Sequence, residues 1–260
     1  MLPTCTGDPD EPAIYLRSSD PESQATFDCT GATPNTSGLF QTTNGVADGG
    51  WVVVEGIHVQ DCRADNFDTA GDYTKMIVVN SGGKDMYGSG NQVFTAHNDS
   101  SLIGLNVYGN SLNTGSGDAT PVVSAGTSKT IIISDKAFYV DDDGTGEGGG
   151  VIGTGCLMVV IGPDVYATRD TTGEVSLFHV VAPANQTCNV TVARVEGYDW
   201  PDGPAFYLKA SNANAIVNYS VYQSTFASGK YGIRNREVDS TSRVNFVGRC
   251  LLFDELSGFN

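Results

Sequence analysis

A recurring interval of 27 residues is the feature that most restricts what this chain can fold into. Val190-Thr-Val, Val217-Asn-Tyr and Val244-Asn-Phe follow one another at that spacing, and Leu105, Ile132 and Val159 sit in apolar runs 27 apart. Phe138-Tyr-Val-Asp-Asp-Asp-Gly-Thr-Gly-Glu147 matches Val165-Tyr-Ala-Thr-Arg-Asp-Thr-Thr-Gly-Glu174 in the same register. Phe178-His-Val-Val-Ala182 matches Phe206-Tyr-Leu-Lys-Ala210 at an interval of 28. A unit of this length holds three short strands and cannot bury its own apolar side chains, whereas stacked units share a continuous core. No apolar i, i+3, i+4, i+7 pattern lasts three turns, and 32 glycines among many Asn, Thr and Ser supply tight turns. The reading is all-β: a single right-handed parallel β-helix domain over residues 1–260, of about eight coils. A β-sandwich is the alternative architecture.

The repeat makes specific demands. Val190 should pair with Val217, and Val217 with Val244. The leading strand of each coil should fall near 13–17, 38–42, 76–80, 120–124, 151–153, 177–181, 205–209 and 232–236. The polar, glycine-rich stretches 63–75, 81–91 and 109–119 read as insertions projecting from the coils. Neither 1–12 nor 253–260 offers an amphipathic cap, so the expectation is that short loops cover the coil ends, or that these ends continue into an oligomer or a longer chain.

Thirty acidic against 14 basic residues give a net charge of −16. Such a surface repels phosphate backbones and anionic membranes, which argues against nucleic acid and membrane partners. Met1-Leu-Pro-Thr-Cys-Thr-Gly-Asp-Pro has neither the basic start nor the apolar run of a signal peptide. The six cysteines contain no C-x-x-C pair, so a zinc site of that type is not indicated. Cys5 with Cys29 and Cys156 with Cys188 are spaced to meet on neighbouring coils, as disulfides or as buried thiols. Asn35, Asn98, Asn185, Asn189 and Asn218 stand in Asn-x-Ser/Thr sequons. A secreted, extracellular or periplasmic setting fits this surface.

Strand alternation lets the outward row be read from the repeat. With Phe178, Phe206 and Ile233 inward, His179, Tyr207 and Arg234 face out on successive coils, and Val181, Lys209 and Arg236 form a second outward row beside them. This concentrates cations and rings that suit an anionic polysaccharide, since Arg forks a carboxylate. His179, Tyr207, Lys209 and Arg234 are the catalytic candidates, with Arg236 and Trp200 as substrate-binding ones. Asp141, Asp142, Asp143 and Asp170 fall in stacked turns and are candidate ligands for Ca2+; ordinary Asp/Gly turn chemistry is the alternative. Asp199 and Asp202 are the carboxylate pair that inverting hydrolysis would need. His58 and His97 read as isolated surface histidines.

The segment Glu11-Pro-Ala-Ile-Tyr-Leu-Arg-Ser-Ser-Asp-Pro-Glu-Ser-Gln-Ala-Thr-Phe-Asp28, followed by Gly50-Trp-Val-Val-Val-Glu-Gly-Ile-His-Val-Gln-Asp61, resembles the opening coils of pectate-lyase-like β-helix proteins. Within that group it looks like the alginate-lyase and chondroitinase-B type of polysaccharide lyase. The resemblance implies the fold and a carbohydrate substrate. The Asn-Gly-x-Lys-Glu and Arg-x-x-His patterns of those lyases are not found, nor is the Asp-Asp with Gly-His-Gly pattern of polygalacturonase-type hydrolases, so no catalytic residue is carried over. The functional expectation is a lyase cleaving an acidic, uronate-containing polysaccharide by β-elimination. A non-catalytic carbohydrate-binding or adhesin module, like a tail-spike segment, and an inverting glycoside hydrolase are the alternatives.

Overall fold

The structure is a computed structural model that describes residues 12–20, 23–30, 39–42, 51–62, 65–70, 74–87, 92–97, 99–113, 122–125, 127–142, 149–153, 156–169 and 175–257. Every strand pairing within it is parallel, and pairing partners lie one coil apart in sequence. The chain forms the right-handed parallel β-helix that its repeat demands. Three sheets run along the axis.

The first sheet stacks β1 (Pro12–Arg17), β4 (Trp51–Glu55), β7 (Lys75–Val79), β10 (Ser101–Leu105), β13 (Lys129–Ile133), β16 (Leu157–Ile161) and β19 (Thr187–Ala193), then the opening parts of β21 (Ile216–Glu237) and β22 (Arg243–Asp254). The second stacks β2 (Ala25–Asp28), β5 (Ile57–Gln60), β8 (Gly82–Tyr87), β11 (Tyr108–Asn113), β14 (Ala137–Asp142), β17 (Asp164–Arg169) and the start of β20 (Glu196–Ala210), then the middle of β21 and the end of β22. The third stacks β3 (Phe40–Thr42), β6 (Phe67–Thr69), β9 (Phe94–Ala96), β12 (Val123–Ser124), β15 (Gly149–Gly153) and β18 (Val175–Ala182), then the ends of β20 and β21.

The corner between the first and second sheets recurs in nearly every coil and explains their regularity. A single residue with left-handed backbone turns the chain: Gly56, Asn80, Asn106, Gly162, Arg194, Gln223 and Cys250. Gly and Asn tolerate that conformation best. The corner amides continue the ladder, Gly56 N–H donating to Val79 O at 3.0 Å and Asn80 N–H to Leu105 O at 3.0 Å. Asn106 Nδ2 also donates to Asn80 Oδ1 at 2.8 Å, tying the side chains of two corners together.

Inside, like side chains stack on like. Phe40, Phe67 and Phe94 lie at ring separations of 5.5 and 5.3 Å, and Phe178 and Phe206 at 5.2 Å. Outside, Tyr139, Tyr166 and Tyr198 stack at 4.6 and 4.8 Å, and Asn189, Asn218 and Asn245 link side chain to side chain at 2.9 and 2.8 Å.

Several registers differ from the sequence reading. Val217 pairs with Val244 as expected, but Val190 pairs with Tyr219, and Val217 with Cys188. That coil is two residues longer than 27; an even change preserves parity, so Val190 and Val217 both remain buried. Leu105 pairs with Ile133, not Ile132, and this odd change leaves Leu105 exposed while Ile132 is buried. Ile131-Ile132-Ile133 is apolar at both parities, so hydropathy alone does not show which face is inside. The expected leading strands at 13–17 and 76–80 belong to the first sheet and the other six to the third. The strands of the third sheet in the early coils are short, so the strongest apolar runs there are those of the first sheet.

The supposed insertions 63–75, 81–91 and 109–119 contain β6, β8 and most of β11. Of their described glycines, Gly83 and Gly109 stand where side chains from neighbouring strands fill the interior. Gly109 has no room for a Cβ against Val122. Cys156 and Cys188 form the expected disulfide, but Cys29 pairs with Cys62 on the following coil. Cys5 lies outside the described residues, and Cys250 is a free, exposed thiol. Among the described residues no helix is long and apolar enough to cross a membrane.

Candidate functional site

One outward row of the third sheet runs from an acidic cluster at one end to the basic candidates at the other. It begins with Gln41, Asp68 and Thr95, paired strand to strand. Thr95 pairs with Ser124, which follows Val123, the partner of Ile152, and so falls beside Gly153. Gly153 pairs with His179, His179 with Tyr207, and Tyr207 with Arg234. The row is acidic at one end, small in the middle, and aromatic and basic at the other.

The basic end matches the sequence reading closely. Phe178 and Phe206 are buried, while His179, Tyr207 and Arg234 stand half-buried on the outer face. The His179 and Tyr207 rings meet edge to face at 4.9 Å, and the Arg234 guanidinium lies 5.8 Å from the centre of the Tyr231 ring. Val181, Lys209 and Arg236 pair in the expected second row. Ile233, expected inward, is 41% exposed. The pairing of β21 with β22 ends at Ala227 with Asp254, so among the described residues no further strand covers Ile233.

Other candidates fare differently. Trp200 is wholly buried, packs against Phe226 and donates its indole N–H to Tyr231 O at 3.0 Å. It is a core residue and presents no ring to a ligand. Its neighbour Asp199 has left-handed backbone, and the Trp200 side chain that follows points inward. Asp199 itself is exposed, and the Asp202 side chain is outside the described set. The Asp141 carboxylate accepts a hydrogen bond from Thr168 Oγ1 at 2.8 Å, and Thr168 in turn lies 2.7 Å from the Tyr139 hydroxyl. Asp143, Asp170 and the Asp142 side chain are outside the described residues.

The acidic end was not assembled from the sequence. Asp65, Asp68 and His97 bring three potential ligand atoms within 4.8 Å of one another. His97 Nε2 is 3.2 Å from Asp68 Oδ1, Gln41 Nε2 donates to Asp68 Oδ2 at 2.8 Å, and the Gln92 amide donates to Asp65 Oδ1 at 2.7 Å. Burial raises the pKa of both carboxyls, and the Asp68 charge adds to the rise at Asp65. A signal was available: Phe67-Asp-Thr and Phe94-Thr-Ala are spaced by 27, which puts Asp68 outward and His97 just beyond the end of the next strand.

His58 is also not isolated. Its Nδ1 lies 2.6 Å from the Tyr108 hydroxyl, which donates to Gln24 Oε1 at 2.6 Å. Burial pushes the Tyr108 pKa up to about 12, so this phenol stays protonated. No family model, curated protein or solved structure matches the chain.

Proposed function

We propose that the basic end of the third sheet binds an acidic, uronate-containing polysaccharide and that the protein is a polysaccharide lyase. The observation that carries this reading is the placement of His179, Tyr207, Arg234, Lys209 and Arg236 on three adjacent coils of a chain with net charge −16. A β-elimination needs a cation to neutralise the uronate carboxylate and a base for the proton α to it. The electron pair then forms the C=C bond and expels the glycosidic oxygen. Arg234 and Arg236 suit the first role, and Lys209, Tyr207 or His179 the second. Two disulfides support a secreted setting, where such polymers are met.

A non-catalytic carbohydrate-binding module is the second reading, and it is favoured by the withdrawal of His179 Nε2 from solvent. Incubation with alginate, polygalacturonate and chondroitin separates them. The ultraviolet absorbance of an unsaturated uronate marks a lyase. New reducing ends without that absorbance mark a hydrolase, and retention on the polymer without either marks a binding module. Absence of retention and of products would remove the carbohydrate reading.

A further inference from the structure

We infer that Asp65, Asp68 and His97 form a binding site for a divalent transition-metal ion of the zinc, cobalt or nickel kind. The site lies outside the basic end of the sheet and does not depend on the polysaccharide reading.

The geometry comes first. Oxygen and imidazole ligands bind such ions at about 2.0–2.2 Å, which sets neighbouring ligand atoms roughly 3–3.5 Å apart. Asp68 Oδ1 and His97 Nε2 already stand 3.2 Å apart, and Asp65 offers its ligand atom within 4.8 Å of both. Asp65 comes from just before β6, Asp68 from its middle and His97 from the residue after β9, on adjacent coils fixed by the ladder, where His97 N–H donates to Thr69 O at 3.3 Å. Gln41 and the Gln92 amide each hold one carboxylate oxygen, the outer-shell support that orients metal ligands.

A second observation points to a cation. Asp68 occupies an outward strand position yet is only 2% exposed, and its Oδ1 faces His97 Nε2 at 3.2 Å without a well-aligned hydrogen bond. A buried carboxylate oxygen facing an imidazole nitrogen needs a proton or a metal ion between them. Without metal, a proton on the ring or on a carboxyl fills that place. A divalent ion replaces it and holds both carboxylates and the imidazole at once. The imidazole ligand favours zinc, cobalt or nickel over calcium or magnesium. The His97 side chain is 51% exposed, so the ion has a route in and water can complete its coordination.

The test uses the full chain stripped with chelator, titrated with ZnCl2 by calorimetry and with CoCl2 by visible absorption. The expected result is a binding event for each ion that His97→Ala abolishes. Gln41→Ala should weaken the event by about tenfold or more through lost orientation of Asp68, and CaCl2 should not compete. The melting temperature of the metal-free His97→Ala variant is read beside the titration, and a variant that still melts cooperatively shows that loss of binding is not loss of fold. Binding unchanged in His97→Ala, no zinc binding in the parent chain, or calcium preferred over zinc would overturn the assignment.

Discussion

The two ends of the third sheet are built on one ladder but meet solvent differently. At the acidic end Asp68 and Thr95 are 2% and 4% exposed although strand parity turns them outward. At the basic end the same row carries His179, Tyr207 and Arg234 half-open. The connections from the second sheet change along the same axis. Between Asp28 and Phe40, Gln60 and Phe67, or Asn113 and Val123 several residues intervene, whereas β20 and β21 pass from one sheet to the next as continuous strands. Parity therefore decides which side chains leave the core, and the corner connections accompany the change from covered to open. The covered end suits a desolvated cluster of few atoms. The open end suits a long polymer lying across coils.

The largest effect should come from the core beneath the open end. Phe206 touches the Phe178, Phe226, Tyr219 and Phe246 rings, so Phe206→Ala should cost about 3–5 kcal/mol. Ile233→Ala, one rung on and exposed, should cost less than about 1 kcal/mol. Equal losses in chemical denaturation would mean that the solenoid continues beyond Ile233 and that the two rungs are equivalent.

Next is the charge at the open end. Arg234→Ala and Lys209→Ala should each weaken retention on an acidic polysaccharide by about tenfold, or ~1.4 kcal/mol, with melting unchanged. Lys84→Ala and Lys129→Ala are the controls. Both lysines lie in β8 and β13, exposed on the other two sheets. Four variants with the same affinity would reduce the basic row to a solvated face.

The covered end should show itself in pH. The folded pKa values of Asp65 and Asp68 are both raised, by burial first. Folding thus favours their protonated forms, and that contribution is full below the unfolded pKa and lost as pH rises through the folded one. Asp28 and Asp239, lowered chiefly by hydrogen bonds from Thr30 and Thr241, act in the opposite sense. The informative quantity is therefore the difference between the parent and Asp68→Asn, both free of metal. The variant should gain relative melting temperature as pH rises through this window. A constant difference would mean that Asp68 is well solvated.

The smallest change is inside the core. The Tyr219 hydroxyl is buried with no hydrogen-bond partner among the described residues, and burial raises its pKa well above the usual phenol value. Tyr219→Phe removes that polar group and should stabilise the protein by up to about 1 kcal/mol. A loss of stability would reveal a partner for the hydroxyl.

These contrasts also show what was legible in the residues. The 27-residue interval revealed the solenoid, and the Phe178–Phe206–Ile233 series placed the basic row on the correct face, because a charged residue at the wrong parity would be costly to bury. Coil length was harder to read. An extra residue in a connection leaves no mark on the apolar pattern when the next strand is apolar at both parities, as at Ile131–Ile133. The acidic cluster was missed although the Phe67 and Phe94 spacing signalled it, because His97 meets Asp65 and Asp68 only when one coil settles on the next. Trp200 was misplaced as well: the left-handed backbone of Asp199 precedes it, and the ring points inward.

The two disulfides each join a coil to its neighbour, and this gives the molecule a mechanical character. The ladder hydrogen bonds run along the solenoid axis, so tension applied between its ends loads one rung at a time and unwinds the stack like a spring. Cys29–Cys62 and Cys156–Cys188 act as clamps at two places along that spring. The first lies on the coil that leads into Asp65 and Asp68, and the second joins the coil that carries His179 to the coil that carries Tyr207. Under load the coils between the clamps would open while those two junctions stay closed, which keeps the anchor points of both ends of the polar row in register.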